Sequence, residues 1–271
     1  MEISIKKALK NVASENYDKT NILFYFVLLF ISGLLGSVME YCKNSKSFGL
    51  FGIVFIFIVL ITILSVGVVT LATNNAFKRK KGVFPSLTND FSKVLKNGFL
   101  YCTGSSLTVM VMIIPITILM AVLMFINPLL GLLTIIPSFY LAYIFFGLYF
   151  NFLATLSFKS WFDYKKALQT LNRSKGAFGK CVLRLFGLQL LASFITFVLI
   201  FIIAFTCGFG SAIAGQQSDN NTTLLMIVST ISSLIAVFIF GISAVYSVDI
   251  SAQYLRSVFV KKKPKPIVNN Q

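Results

Sequence analysis

Six apolar segments, each long enough to cross a bilayer, alternate with short polar segments along the chain. A helix needs about 20 apolar residues to cross roughly 30 Å of hydrocarbon. Because lipid offers no hydrogen-bond partners, the backbone of a single crossing segment must be helical. The pattern therefore predicts an all-α polytopic bundle of six transmembrane helices, at approximately residues 21–41, 48–72, 99–126, 129–157, 182–207 and 223–247.

Three of the polar segments, which we call lead-ins, come before spans 1, 3 and 5. They cover residues 1–20, 84–99 and 159–184, and in each the apolar residues recur at three- and four-residue steps. That spacing places apolar side chains on one face of a helix. With lysine and arginine on the other faces, the pattern is typical of a helix that lies on the membrane surface.

The order of elements repeats three times along the chain. Each unit has a lead-in, a span, a tight turn and a second span, and Lys6–Leu9 of the first lead-in has the same sequence, KKAL, as Lys165–Leu168 of the third. This predicts a single membrane domain of three parallel hairpins, with units at about residues 1–73, 74–157 and 158–260 and a basic cytoplasmic tail at 261–271.

The net charge of +16 is concentrated on one side of the predicted spans. Of the 24 lysines and arginines, 22 fall on the side of the N-terminus, and only Lys43 and Lys46 fall on the other. The positive-inside rule then places both termini in the cytoplasm. Since the basic residues occupy short segments between spans, they point to anionic lipid headgroups or a protein partner, and not to nucleic acid.

Nine side chains of the basic segments are the candidates for contact with lipid or a partner. Trp161, the only tryptophan, is included because indole rings favour the headgroup region. The candidates are Lys78, Arg79, Lys80, Lys81, Trp161, Lys165, Lys166, Arg173 and Lys175.

The composition argues against an enzyme, a metal site or a cofactor. The chain has no histidine and only eight carboxylates, none of them in the middle of a predicted span. It therefore lacks the groups for Ser-His or Cys-His catalysis, for a carboxylate metal cage and for a proton relay across the bilayer. The phosphate-binding patterns GxGxxG and GxxxxGK[ST] do not occur either.

Two prolines lie at similar predicted depths in spans 3 and 4. Pro115 comes twelve residues before the turn at Asn127 and Pro137 ten residues after it. Since proline frees a backbone carbonyl, two matching kinks would open a small cavity near the midplane, with Tyr140 and Asn151 as polar groups. Structural kinking without a ligand is the other interpretation.

Asp249, at the inner end of span 6, shares a helical face with Gln253 and Arg256. A buried contact of Asp249 with a lysine or arginine would lock span 6 to the lead-ins. The alternative is a solvated carboxylate at the membrane interface.

The segment from Gly67 to Gly98 has a basic run after span 2, followed by Pro85, Asp90 and the glycine that opens span 3. In this order it resembles an uncharacterised family of prokaryotic six-span membrane proteins, a DUF4013-like domain-of-unknown-function family. That family usually has an aromatic residue after the proline, where this chain has Ser86. The resemblance implies a multi-pass protein of a prokaryotic plasma membrane, and it implies no established activity or site residues.

The sequence thus predicts a non-catalytic integral membrane protein whose basic cytoplasmic face contacts anionic lipid or a partner. The alternative is a small transporter or channel with a midplane cavity between spans 3 and 4.

Overall fold

The structure, a computed structural model, describes residues 4–14, 16–45, 47–213 and 220–260. Within these residues all regular structure is helical, and six helices are long and apolar enough to cross a membrane. The predicted class, an all-α bundle with six spans, is therefore confirmed. The basic tail at 261–271 lies outside the described residues.

Eight α-helices and two 3₁₀ helices make up the described chain. The short helices are α1 (Ile5–Val12) and α6 (Tyr164–Arg173), and the 3₁₀ helices are Pro128–Thr134 and Phe158–Trp161. The long ones are α2 (Lys19–Asn44), α3 (Phe48–Phe77), α4 (Leu87–Ile126), α5 (Ile135–Thr155), α7 (Lys175–Ile213) and α8 (Asn220–Phe259).

The lead-ins differ from one another in the structure. The first contains α1, a separate helix. The second is not separate, because α4 begins at Leu87 and continues without a break into span 3. The third is divided among the 3₁₀ helix at Phe158–Trp161, α6 and the first turns of α7. The residues of the third lead-in therefore do not share one continuous helical face.

Helices α3 and α8 form the centre of the bundle. Helix α3 packs against α2, α4, α5 and α8, while α8 also contacts α1, α2 and α7. The contact between α3 and α4 is closest at Gly67 and Gly98, where a Cβ on either glycine would lie inside van der Waals contact with a backbone carbonyl of the other helix. Such close approach of two backbones requires residues without side chains.

The buried core is displaced toward one end of the bundle. Buried side chains concentrate in the C-terminal half of α3, the first half of α4, the second half of α5 and the last part of α8. The opposite ends of α3, α4 and α5 expose large apolar side chains, among them Phe48, Phe125 and Phe139. This leaves the apolar surface facing lipid at one end and a packed, partly polar core at the end that carries the lead-ins.

Candidate functional site

The polar core at the lead-in end contains one fully buried acid. Asp249 of α8 is 1% exposed, and three side chains donate hydrogen bonds to its carboxylate. Gln253 Nε2 lies 2.6 Å from Oδ2, Tyr17 Oη lies 3.1 Å from Oδ1, and Asn11 Nδ2 lies 3.1 and 3.2 Å from the two oxygens. The carboxylate therefore joins α8 to α1 and to the segment that follows α1.

Gln253 extends this connection to the start of α1. Its Oε1 accepts a hydrogen bond from the Ser4 backbone N–H at 2.9 Å, and its Nε2 donates to the Ser4 carbonyl at 3.3 Å. Ala8, one turn into α1, is fully buried in the core that also contains Ile250 and Tyr254. The short helix α1 is thus held on α8 by both polar and apolar contacts.

Arg256 completes this face of α8, but it does not pair with Asp249. Its Nε donates to the Phe77 carbonyl at 3.3 Å, and its Nη2 donates to the Ala76 carbonyl. The last carbonyls of a helix lack partners within the helix. Arg256 therefore caps the C-terminus of α3, where a positive charge also complements the helix dipole.

Arg79, two residues after the end of α3, has a backbone conformation that favours glycine. Its φ is 55°, and the Lys80 N–H donates to the Asn75 carbonyl at 3.0 Å. This is a Schellman C-cap with arginine in the left-handed position, which costs about 1 kcal/mol relative to glycine. The turn directs the chain so that Arg79 and Lys80 line the cavity above Asp249.

We name this space the junction cavity, because it lies where α1, α3 and α8 meet. Its volume is about 260 Å³, and Asp249 and Tyr17 form part of its wall. Four cationic side chains also line it: Lys7, Arg79, Lys80 and Arg256. Burial of the phenol, with the Asp249 carboxylate beside it, raises the pKa of Tyr17, so this group stays a neutral donor to Asp249 at physiological pH.

A second space, the basic cavity, lies between α6, the start of α7 and the end of α8. Its volume is about 520 Å³, and Lys166, Arg173 and Lys175 line it together with the polar Gln169 and Ser174. No carboxylate is among the lining residues in the part of the chain that the structure describes. The cavity adjoins the first turn of α7, the positive end of that helix dipole. It is therefore a cationic concave surface that has no acid among its described lining residues.

The other described acids near these cavities serve helix starts. Asp18 accepts from the Thr20 N–H at 2.9 Å, and Asp163 accepts from the Lys166 N–H at 3.0 Å. Asp90, in the first turn of α4, forms the one salt bridge found among the described residues, with Lys93 at 2.8 Å. These three carboxylates serve capping or pairing, and among the described residues none of them forms a salt bridge with a basic side chain of either cavity.

The predicted contact residues divide between the two cavities. Arg79 and Lys80 line the junction cavity, and Lys166, Arg173 and Lys175 line the basic cavity. Lys78, Lys81 and Lys165 are exposed and line neither.

The structure differs from the prediction at Trp161, which is fully buried and cannot contact headgroups. Its ring lies 5.3 Å from that of Phe152, 5.6 Å from that of Tyr101 and 5.7 Å from that of Phe145, measured between centroids. Gly104 provides the space for the indole, because a Cβ there would collide with it. Trp161 is therefore a wedge between α4 and α5.

The residues of the predicted midplane cavity differ in burial. Pro115 and Tyr140 are exposed, whereas Asn151 is 1% exposed. Pro115 lies inside α4, and Pro137 lies in the first turn of α5, directly after the 3₁₀ helix Pro128–Thr134. None of these four residues lines the junction cavity or the basic cavity.

Asp249 and Arg256 lie on the same face of α8, as their spacing predicted, although they do not pair with each other. Asp249 is buried, so the alternative of a solvated carboxylate is wrong. The predicted partner of Asp249, a lysine or arginine, is replaced by Asn11, Tyr17 and Gln253. Asn11 and Tyr17 were not identified from the sequence. The only signal for them was that an acid in an apolar helix needs hydrogen-bond donors.

No family model matches the chain, and no curated protein or solved structure matches it significantly. The resemblance of the Gly67–Gly98 segment to a prokaryotic six-span family therefore stays a prediction.

Proposed function

We propose that this protein is a non-catalytic integral membrane protein whose basic end binds anionic lipid headgroups. The observation that carries the proposal is the basic cavity, in which Lys166, Arg173 and Lys175 converge without a carboxylate among the lining residues. Basic side chains near a membrane surface gain about 1 kcal/mol each from anionic lipid. A concave cluster of three such side chains binds a phosphate more strongly than the same charges spread over a flat surface.

The proposal includes the arrangement predicted from the charge pattern. The six spans form three hairpins, both termini lie in the cytoplasm, and the membrane is the plasma membrane of a prokaryote. The support for the orientation is the position of 22 of the 24 lysines and arginines on the side of the N-terminus.

The alternative, a small transporter or channel with a cavity between spans 3 and 4, has no comparable support. Pro115 and Tyr140 are exposed and Asn151 is buried, and none of its four predicted residues lines the junction cavity or the basic cavity. An acidic protein partner at the same basic end is an outcome that the following experiment distinguishes.

Thermal stabilisation of the detergent-solubilised protein by added lipid tests the proposal. We expect phosphatidylglycerol to raise the melting temperature more than phosphatidylcholine does. The double variant Lys166→Ala/Arg173→Ala loses about 2 kcal/mol of headgroup interaction and binds phosphatidylglycerol at least about tenfold more weakly.

The matched control is Lys159→Ala/Lys180→Ala, which removes two exposed charges of the same lead-in that do not line the cavity. Equal losses in both double variants would mean that only net charge matters. No preference of the wild type for phosphatidylglycerol would overturn the proposal and leave an acidic protein as the ligand to test.

A further inference from the structure

A third space, the lateral groove, lies deeper along the same helices than the basic cavity. Its volume is about 480 Å³, and α4, α5, α7 and α8 all contribute to it. Tyr101, Phe145 and Phe186 give it a largely aromatic wall, and Gln189 and Ser251 add polar groups. All four helices are candidate membrane spans, so an apolar ligand of this groove would come from the bilayer.

The groove and the basic cavity are aligned along α7. Lys175 lines the basic cavity, while Val182, Phe186 and Gln189 line the groove. These positions differ by 7, 11 and 14 residues, so they lie on one face of the helix. The first interval corresponds to two turns, or about 10.5 Å along the helix axis.

Helix α8 shows the same alignment. Val258 lines the basic cavity, and Ser251 and Ser247 line the groove about two and three helical turns deeper. Phe178 of α7 and Tyr254 of α8 occupy intermediate positions along these helices, and both are buried, with ring centroids 6.0 Å apart. A ligand that occupies both spaces must therefore pass over the outer surface of α7.

Gly179 leaves that outer surface open. It lies on the same face of α7, four residues after Lys175 and three before Val182. A Cβ at Gly179 would have no heavy atom within 4 Å, apart from its own helix backbone. Between the cationic cavity and the aromatic groove, this face of α7 thus has an open stretch at one residue, Gly179, which has no side chain.

The headgroup regions add about 5–8 Å to each side of the hydrocarbon core. If the phosphate of a lipid lies beside Lys175, a point about 10.5 Å deeper is already within the hydrocarbon region. A soluble phosphate ester would use the basic cavity but would have nothing to place in the groove. A membrane phospholipid has a phosphate for the basic cavity and an acyl chain for the groove.

We propose that the ligand is an intact anionic phospholipid, with its phosphate in the basic cavity, one acyl chain passing over Gly179, and the end of that chain in the lateral groove. This inference rests on the proposed function, because it assigns the anionic headgroup to the same cavity. It adds that the long chain contributes to binding and that its path is fixed.

The test compares three probes by native mass spectrometry and thermal shift on the purified full chain. They are dioleoyl phosphatidylglycerol, the soluble dihexanoyl phosphatidylglycerol and glycerol 1-phosphate. The variant Gly179→Phe fills the open stretch, and its matched control is Gly187→Phe, on another face of α7 with equally open surroundings. Neither residue packs against a neighbour, so both variants should fold, and the melting temperature without lipid checks this.

We expect Gly179→Phe to weaken binding of the dioleoyl lipid by at least about tenfold, because the loss of contact by only two methylene groups has that effect. Gly187→Phe should bind it as the wild type does. Binding of glycerol 1-phosphate should depend on Arg173 and change little in Gly179→Phe. The dihexanoyl lipid should bind more weakly than the dioleoyl lipid, because its short chains leave the groove unfilled.

Normal binding of the dioleoyl lipid by Gly179→Phe, with a loss in Arg173→Ala, would overturn the chain path and leave the headgroup site intact. Equally tight binding of glycerol 1-phosphate and the dioleoyl lipid would show a soluble phosphate ligand and overturn the inference as well. If Arg173→Ala binds the dioleoyl lipid as tightly as the wild type does, the proposed function itself fails.

Discussion

At the scale of single residues, Asp249 shows what a sequence can and cannot predict. An acid in an otherwise apolar helix, with Gln253 and Arg256 at helical spacing, indicates a buried polar contact. Its other partners, Asn11 and Tyr17, are 238 and 232 residues away in the chain. No local pattern connects residues so far apart, so only the packing of α1 against α8 identifies them.

Replacing Asp249 tests this network directly. Asp249→Ala leaves three donors without their acceptor in a buried site, and we expect a loss of about 2 kcal/mol in the free energy of unfolding. Thermal melting in detergent, followed by circular dichroism, measures this loss. Asp249→Asn keeps one acceptor oxygen and should lie between the wild type and the alanine variant.

The control for charge removal is Asp90→Ala, which breaks the salt bridge to Lys93. Those side chains are 30% and 71% exposed, and pairs of this kind contribute less than about 1 kcal/mol. A melt of Asp249→Ala that matches the melt of Asp90→Ala would contradict a structural role for the buried carboxylate.

At the scale of elements, the apolar pattern predicts the spans well but not the lead-ins. The break between α4 and the 3₁₀ helix that follows occurs at Asn127 and Pro128, where the sequence places a turn. Helix α4, however, continues back to Leu87, since nothing between Leu87 and Phe99 interrupts a helix. Amphipathic periodicity shows that a segment is helical, and it does not show whether that helix is separate from the next one.

The crossing of α3 and α4 depends on two glycines. Gly67→Ala or Gly98→Ala would place a methyl group against the backbone of the facing helix and force the two helices apart. We expect each to cost about 1–3 kcal/mol, the usual range for overpacking. Gly52→Ala, in the same α3 but with no atom within 4 Å, is the control and should be neutral or slightly stabilising in a melting experiment. If all three variants melt alike, the close crossing is not a determinant of the fold.

The predicted position of Trp161 was wrong because a single indole in a basic segment is compatible with two environments. Sequence statistics favour the headgroup region, whereas the structure supplies an aromatic pocket made by Tyr101, Phe145 and Phe152. The pocket depends on the distance between α4 and α5, which the hydropathy pattern does not predict.

The intrinsic fluorescence of this single tryptophan tests its position. We expect a blue-shifted emission that aqueous iodide and acrylamide quench weakly, since the ring is fully buried. The matched comparison is Trp161→Phe/Phe162→Trp, which moves the indole to a neighbouring position that is 39% exposed. Equal quenching of the two proteins would contradict the buried position of Trp161 and support its predicted position at the membrane surface.

At the scale of the whole molecule, two asymmetries coincide. The packed core and the buried polar groups lie at the end of the bundle where α1, α6 and the α3–α4 connection meet, and most basic side chains lie there too. Hydropathy predicted the six long apolar helices, whereas the orientation that the charge pattern indicates stays a prediction. The concentration of the core at the basic end required the structure, because burial depends on which helices meet.

This asymmetry makes the orientation of the bundle a decisive prediction. With all four cysteines replaced by alanine, Ser45→Cys and Ser157→Cys place one thiol at each end of the bundle, both at exposed positions. Because 22 basic residues favour the cytoplasmic side, we expect a membrane-impermeant maleimide to label the cysteine at 45 in intact cells. The cysteine at 157 should react only after permeabilisation. The reverse labelling would place the junction cavity and the basic cavity outside the cell. They would then lie away from the anionic cytoplasmic leaflet that the proposed lipid site requires.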